Sequence, residues 1–97
     1  MINYSKDDIK DILRKYDNND NNINNLNFDK LYLSIIKYMC GKIDDNIQYY
    51  NYSNYLFQHL DVFNMKLFGY FLDSLRNYIT CKCNEDEICD DHKKYFN

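Results

Sequence analysis

An all-α fold is predicted for this 97-residue chain: two helix–loop–helix units followed by a short C-terminal helix. Three observations carry that prediction. Apolar residues recur at helical spacing through four successive stretches. Helix-opening pairs, Ser5 with Asp8 and Asn84 with Glu87, place a capping side chain three residues before an acid that can reach back to it. No stretch shows the sustained period-two alternation of a half-buried strand.

Taken in order, Ser5 caps the first helix, and Asp7 and Asp8 suit the positive end of its dipole. Ile9, Ile12, Leu13 and Tyr16 then fall at i, i+3, i+4 and i+7, which makes one apolar face on a helix ending near Tyr16. Residues Asp17 to Asn25 are Asp and Asn apart from Ile23. Both types tolerate left-handed backbone and bond their own main chain, so the segment reads as a loop. Asn27 can cap the second helix, whose inner face is Leu31, Ile35, Tyr38 and Met39 with Phe28 and Ile36 beside it. Gly41 stands where a helix C-terminal glycine belongs.

A short polar linker, Lys42 to Asn46, leads to a third helix predicted over Ile47 to Phe63. Tyr52, Leu56, His59 or Leu60, and Phe63 form its inner face, while Gln48 to Asn51 could equally be extended. A bend is expected over Asn64 to Gly69, then a fourth helix with Phe68, Phe71, Leu72, Leu75, Tyr78 and Ile79 inward. Asn84 and Glu87 open the last helix, which carries Ile88, His92, Tyr95 and Phe96. The division expected is residues 1–80 as the paired units and 81–97 as a Cys/His tail.

Composition removes several function classes. A net charge of −3 and the lack of any Lys/Arg stripe leave no footprint for nucleic acid. No apolar run approaches the roughly 18 residues of a membrane span. The opening MINYSKDDIK has no apolar targeting core, so a cytoplasmic, reducing location is expected, with free thiols. The excess of Asn and Tyr follows from AT-rich codon usage rather than function. No nucleophile–base pattern, phosphate-binding glycine loop or HExxH motif occurs, so an enzyme is not expected.

A weak repeat relates the two halves. Asp17 and Leu31 are fourteen positions apart, as are Asp61 and Leu75. In both halves the Asp follows the last apolar residue of a helix and the Leu lies on the next helix's inner face. On the residues IKDILRKYDNNDNN with LNFDKL, and LFQHLDVF with GYFLDSLRNYI, the chain resembles a degenerate EF-hand pair of the calmodulin and myosin light-chain type. The first half carries the resemblance better than the second.

Counting from Asp17 shows what is degenerate. Ca²⁺ takes six to eight oxygens, and a standard loop closes with a bidentate Glu at its twelfth position. Asp17, Asn19, Asn21, the Ile23 carbonyl and Asn25 supply an opening set, but Phe28 stands at the closing position. From Asp61 the third and fifth positions are Phe63 and Met65, which offer no oxygen. The resemblance implies a calcium-independent, light-chain-like adaptor gripping an amphipathic helix of a partner protein. Leu31, Ile35, Tyr38, Met39, Leu56, Phe63, Met65, Phe71, Leu72 and Leu75 would line the groove, and all of them are also candidates for core. A weak calcium sensor through the first loop is one alternative.

A second metal reading concerns the tail. Cys81, Cys83, Cys89 and His92 form C-x-C-x5-C-x2-H, and Zn²⁺ takes four such ligands tetrahedrally. That set gives a second alternative, a structural zinc in a zinc-stapled interaction module. The alternative is an exposed His92 with the cysteines packed as small apolar residues. No other cofactor is expected.

Overall fold

The structure, a computed structural model, describes residues 4–39, 41–60 and 65–76. These residues form five α-helices: α1 Lys6–Arg14, α2 Asp20–Asn24, α3 Phe28–Met39, α4 Ile47–His59 and α5 Met65–Arg76. There is no strand among the described residues. The all-α prediction therefore holds over that part of the chain.

Local chemistry sets most of the boundaries. Ser5 and Asp8 make a reciprocal capping box, Asp8 N–H to Ser5 Oγ at 3.1 Å and Ser5 N–H to Asp8 Oδ2 at 2.9 Å. The Ser5 backbone N–H and then its hydroxyl hold the Asp8 carboxyl below the usual carboxylate range. Asn27 accepts from the Lys30 N–H at 3.1 Å and so caps α3. Asn46 accepts from the Gln48 and Tyr49 N–H groups and caps α4. The turns that could have been extended, Gln48 to Asn51, are helical for that reason.

Gly41 ends α3 with φ +74°. Its N–H bonds the Tyr38 carbonyl at 3.0 Å, and the Lys42 N–H bonds the Lys37 carbonyl at 2.8 Å, the paired bonds of a Schellman stop. Gly41→Ala should destabilise by about 1–2 kcal/mol, because a Cβ is strained at positive φ. A Cβ there would meet no atom within 4 Å, so backbone strain alone accounts for the loss. A urea midpoint shift with unchanged slope is the check.

Three boundaries differ from expectation. The Asp17–Asn25 segment holds a helical turn, α2, capped by Asn19. The third helix stops at His59 with Leu60 as its C-cap, short of the expected Phe63. The bend expected over Asn64–Gly69 is largely helix, since α5 begins at Met65 and carries Gly69 in its interior. The expected faces beyond Arg76, and the last helix, lie outside the described residues.

The core is one cluster. Ile9 and Leu13 of α1, Ile23 of α2, Leu31, Tyr32 and Ile35 of α3, Tyr52 and Leu56 of α4, and Phe68, Phe71, Leu72 and Leu75 of α5 are all buried. Phe71 meets Tyr4 edge-on at 5.4 Å and Phe68 at the same distance. The largest helix–helix contact is α3 on α4; α1 packs on α2 and α4, and α5 on α3. Small residues bring α3 and α4 together: Ser34 and Ser53 are buried, with their hydroxyl oxygens 2.9 Å apart.

Candidate functional site

The loop after α1 is built from hydrogen bonds within the chain. Asp17 Oδ1 accepts the Asn19 N–H at 3.0 Å, an Asx turn. Asn19 Oδ1 then accepts the N–H groups of Asn21 at 3.1 Å and Asn22 at 3.3 Å, opening α2. Arg14 ties the new turn back to α1. Its guanidinium contacts Asp11 Oδ1 at 2.6 Å, Asn24 Oδ1 at 2.6 Å and Asp20 Oδ1 at 3.8 Å. The Lys10 ammonium adds a bond to the Asn24 carbonyl at 3.3 Å. Ile23 and Leu26 anchor the segment to the core.

The four loop residues considered for calcium are thus occupied or displaced. Asp17 and Asn19 serve backbone donors, Asn21 lies inside α2, and Asn25 is its C-cap. Phe28, at the place of a closing carboxylate, is buried with the Lys6 and Lys10 ammonium groups 5.5 and 5.9 Å from its ring centre. Among the described residues no three His, Cys, Asp or Glu side chains gather as a metal site. Cys81, Cys83, Cys89 and His92 lie outside the described residues.

The second oxygen of Asp17 reaches across the fold. Tyr52 donates its hydroxyl to Asp17 Oδ2 at 2.6 Å, and Gln48 donates its side-chain N–H to the same hydroxyl at 2.8 Å. This relay pins the start of α4 to the end of α1. The Tyr52 hydroxyl, then the Asn19 N–H, lower the Asp17 pKa. Burial first, then the Asp17 carboxylate, push the Tyr52 phenol above its usual range. Neither residue was paired by sequence reading, because a contact across 35 positions leaves no periodic signal.

The signs give a pH test. A lowered Asp17 pKa means stability present above the usual carboxylate value of about 4 and lost as pH falls through the folded value. A raised Tyr52 pKa means stability present below about 10 and lost as pH rises through the folded value. Tyr52→Phe should lower the Tm near neutrality. The gap from the parent should narrow at both extremes, as thermal melts across pH would record.

Beside the relay lies a cleft of about 520 Å³. Tyr16, Asp17 and Asn18 form one wall; Ile47, Gln48, Asn51 and Tyr52 form the other. Tyr16 remains 45% exposed although it stacks on Tyr55 at 5.1 Å and meets Tyr52 edge-on at 6.0 Å. Ile47 is 61% exposed. His59, a candidate for the inner face, is instead on the surface and stacks on Tyr55.

The residues expected to grip a partner are distributed differently. Leu31, Ile35, Leu56, Phe71, Leu72 and Leu75 are at most 1% exposed and belong to the core. Tyr38 and Met39 are half-buried at the end of α3. Tyr38 touches the Tyr50 and Phe57 rings at 5.4 and 5.0 Å and donates to Asn54 Oδ1 at 2.8 Å. Tyr50 and Phe57 belong to this half-buried rim and were not among the expected residues. Phe63 and the Met65 side chain lie outside the described residues. No helix among the described residues is long and apolar enough to cross a membrane. Comparison of the chain with protein-family models, with curated proteins and with solved structures gave no match.

Proposed function

We propose that the chain is a non-enzymatic binding module, EF-hand-like in its first helix–loop–helix, that takes an amphipathic helix of a partner protein without calcium. One observation carries this reading: the Asp17–Asn25 loop spends its oxygens on its own backbone and on Tyr52. A loop braced in that way holds α1 and α3 at their angle with no ion. The Tyr38–Met39 end of α3, with Phe57 and Tyr50, supplies the aromatic and thioether side chains that suit an adaptable contact. The buried leucines and Phe71 would join that contact only if α5 moved off α3.

The test separates adaptor from sensor. A ligand at 100 times its Kd adds about 2.7 kcal/mol. A domain of this size shifts by about 4–8 °C per kcal/mol, so a saturated calcium sensor would melt roughly 10 °C or more higher in Ca²⁺ than in chelator. The adaptor reading expects the same Tm in both. It also expects one helical segment, captured from native extract equally in both conditions, to raise the Tm when added as a synthetic peptide. A calcium-dependent melt, or capture only in calcium, would replace the adaptor with the sensor.

A further inference from the structure

We propose that the cleft between the α1–α2 connection and the first turns of α4 is a binding site for an organic cation, an alkylammonium or guanidinium group with an apolar stem.

The argument starts from charge. Asp17 is the one residue lining the cleft that carries a charge near neutral pH; the Tyr16 and Tyr52 phenols are neutral there. Its carboxylate is held by neutral donors: the Tyr52 hydroxyl, the Asn19 backbone N–H, and more weakly the Asn22 and Gln48 side chains. Among the described residues the ion pairs of Asp11, Asp20 and Asp44 are made with Arg14 and Lys37, and Asp17 is in none of them. Arg14, the basic group nearest in sequence apart from Lys15, is committed to Asp11, Asn24 and Asp20. These hydrogen bonds to neutral donors stabilise the Asp17 carboxylate without cancelling its charge, so among the described residues the cleft holds a carboxylate that is in no ion pair.

The remaining walls fit the same ligand. Tyr16, 45% exposed, brings an accessible aromatic ring to the cleft, while Tyr52 is buried and meets Tyr16 edge to face at 6.0 Å; an aromatic ring beside a carboxylate attracts a cation. Gln48 donates its N–H to Tyr52, which leaves its carbonyl oxygen as an acceptor, and Asn18 and Asn51 bring further amide oxygens. Ile47, mostly exposed, offers the surface along which a short alkyl stem can lie. A hydrated inorganic ion would use neither the Tyr16 ring nor Ile47, whereas an ammonium or guanidinium on three or four carbons can meet Asp17, Tyr16 and Ile47 together. The stem-bearing cation could be a lysine or arginine side chain of a protein, or a free polyamine.

The site is tested on the full chain by following the Gln48 and Asn51 side-chain amide resonances during titration. The probes are n-butylammonium, butylguanidinium, neutral n-butanol and Ca²⁺. The proposal expects saturable shifts with the two organic cations and at least about tenfold weaker response to butanol and Ca²⁺. Asn51→Lys puts a tethered ammonium at the cleft and leaves the Asp17–Tyr52 bond in place; it should abolish the shifts at Gln48 while the Tm stays near that of the parent. Asp17→Asn should also abolish them. Capped lysine amide set against spermidine distinguishes the sources: tighter capture of the former names a protein side chain, of the latter a polyamine. No saturable shift with either organic cation, or equal response to butanol, would overturn the site. This outcome is independent of the partner helix, which none of these probes contains.

Discussion

Leu56→Ala is expected to cost about 2–5 kcal/mol, the largest loss from any single truncation considered. Leu56 is fully buried on α4, the helix packed on both α1 and α3. Its removal takes away transfer energy and leaves a cavity that three helices would have to close together. A domain of this length holds roughly 5–15 kcal/mol in all, so the substitution removes a large share and would leave a visible unfolded population in mild urea. Leu33→Ala makes the internal control. Leu33 is on α3 but 47% exposed, and its truncation should stay within about 0.5 kcal/mol. If both variants unfolded at the same urea concentration, the assignment of inner and outer faces would be wrong.

Ser53→Leu is the second large effect, and it acts by excess volume. Ser53 Oγ lies 2.9 Å from Ser34 Oγ and 2.9 Å from the Tyr49 carbonyl. A hydroxyl has one proton, and both contacts are satisfied when Ser53 donates to the carbonyl and accepts from Ser34. Leucine would remove that partner from Ser34 in a buried setting and push α3 and α4 apart. Overpacking costs about 1–3 kcal/mol, and stranding the Ser34 hydroxyl adds to it. Ser53→Ala is the discriminating comparison. It loses the hydrogen bond without the clash and should fall well short of the leucine variant in a urea series.

Much of this fold was legible from residue order. The Ser5–Asp8 box, the apolar face of α1, the Asn27 cap and the Gly41 stop are local devices, and local devices leave a local signature. α2 was hidden because Asn and Asp are weak helix formers that favour turns. What makes that turn helical is Arg14 reaching back from the previous helix and Ile23 entering the core. Gly69 read as a bend because glycine weakens a helix, yet Phe68, Phe71, Leu72 and Leu75 bury one continuous face across it. His59 and Leu60 were open alternatives at one position of the period; Leu60 packs against the core and His59 does not.

The candidate cleft was not legible at all. Its charge comes from a residue counted as a possible calcium ligand, and its aromatic walls were assigned to helix faces. Only the folding of α4 against the end of α1 brings Asp17 and Tyr52 to 2.6 Å. For the expected groove residues the sequence signal has two readings. A helix's inner face looks the same in sequence whether it meets its own core or a partner, and here six of them meet their own core.

The Arg14 clamp has a consequence for how the molecule opens. A five-residue helix has no stability of its own, since nucleation costs more than so few bonds return. α2 therefore exists only while α1 is in place to hold it, and the two should breathe as one cooperative unit in hydrogen exchange. Because Asp17 sits at their junction and is bonded to Tyr52, a phenol–carboxylate contact adds a polar tie to the apolar packing of that unit on α4. A ligand that engages Asp17 would therefore change the opening of the α1–α2 unit through that tie, while the buried Ile9, Leu13 and Ile23 still hold it to the core.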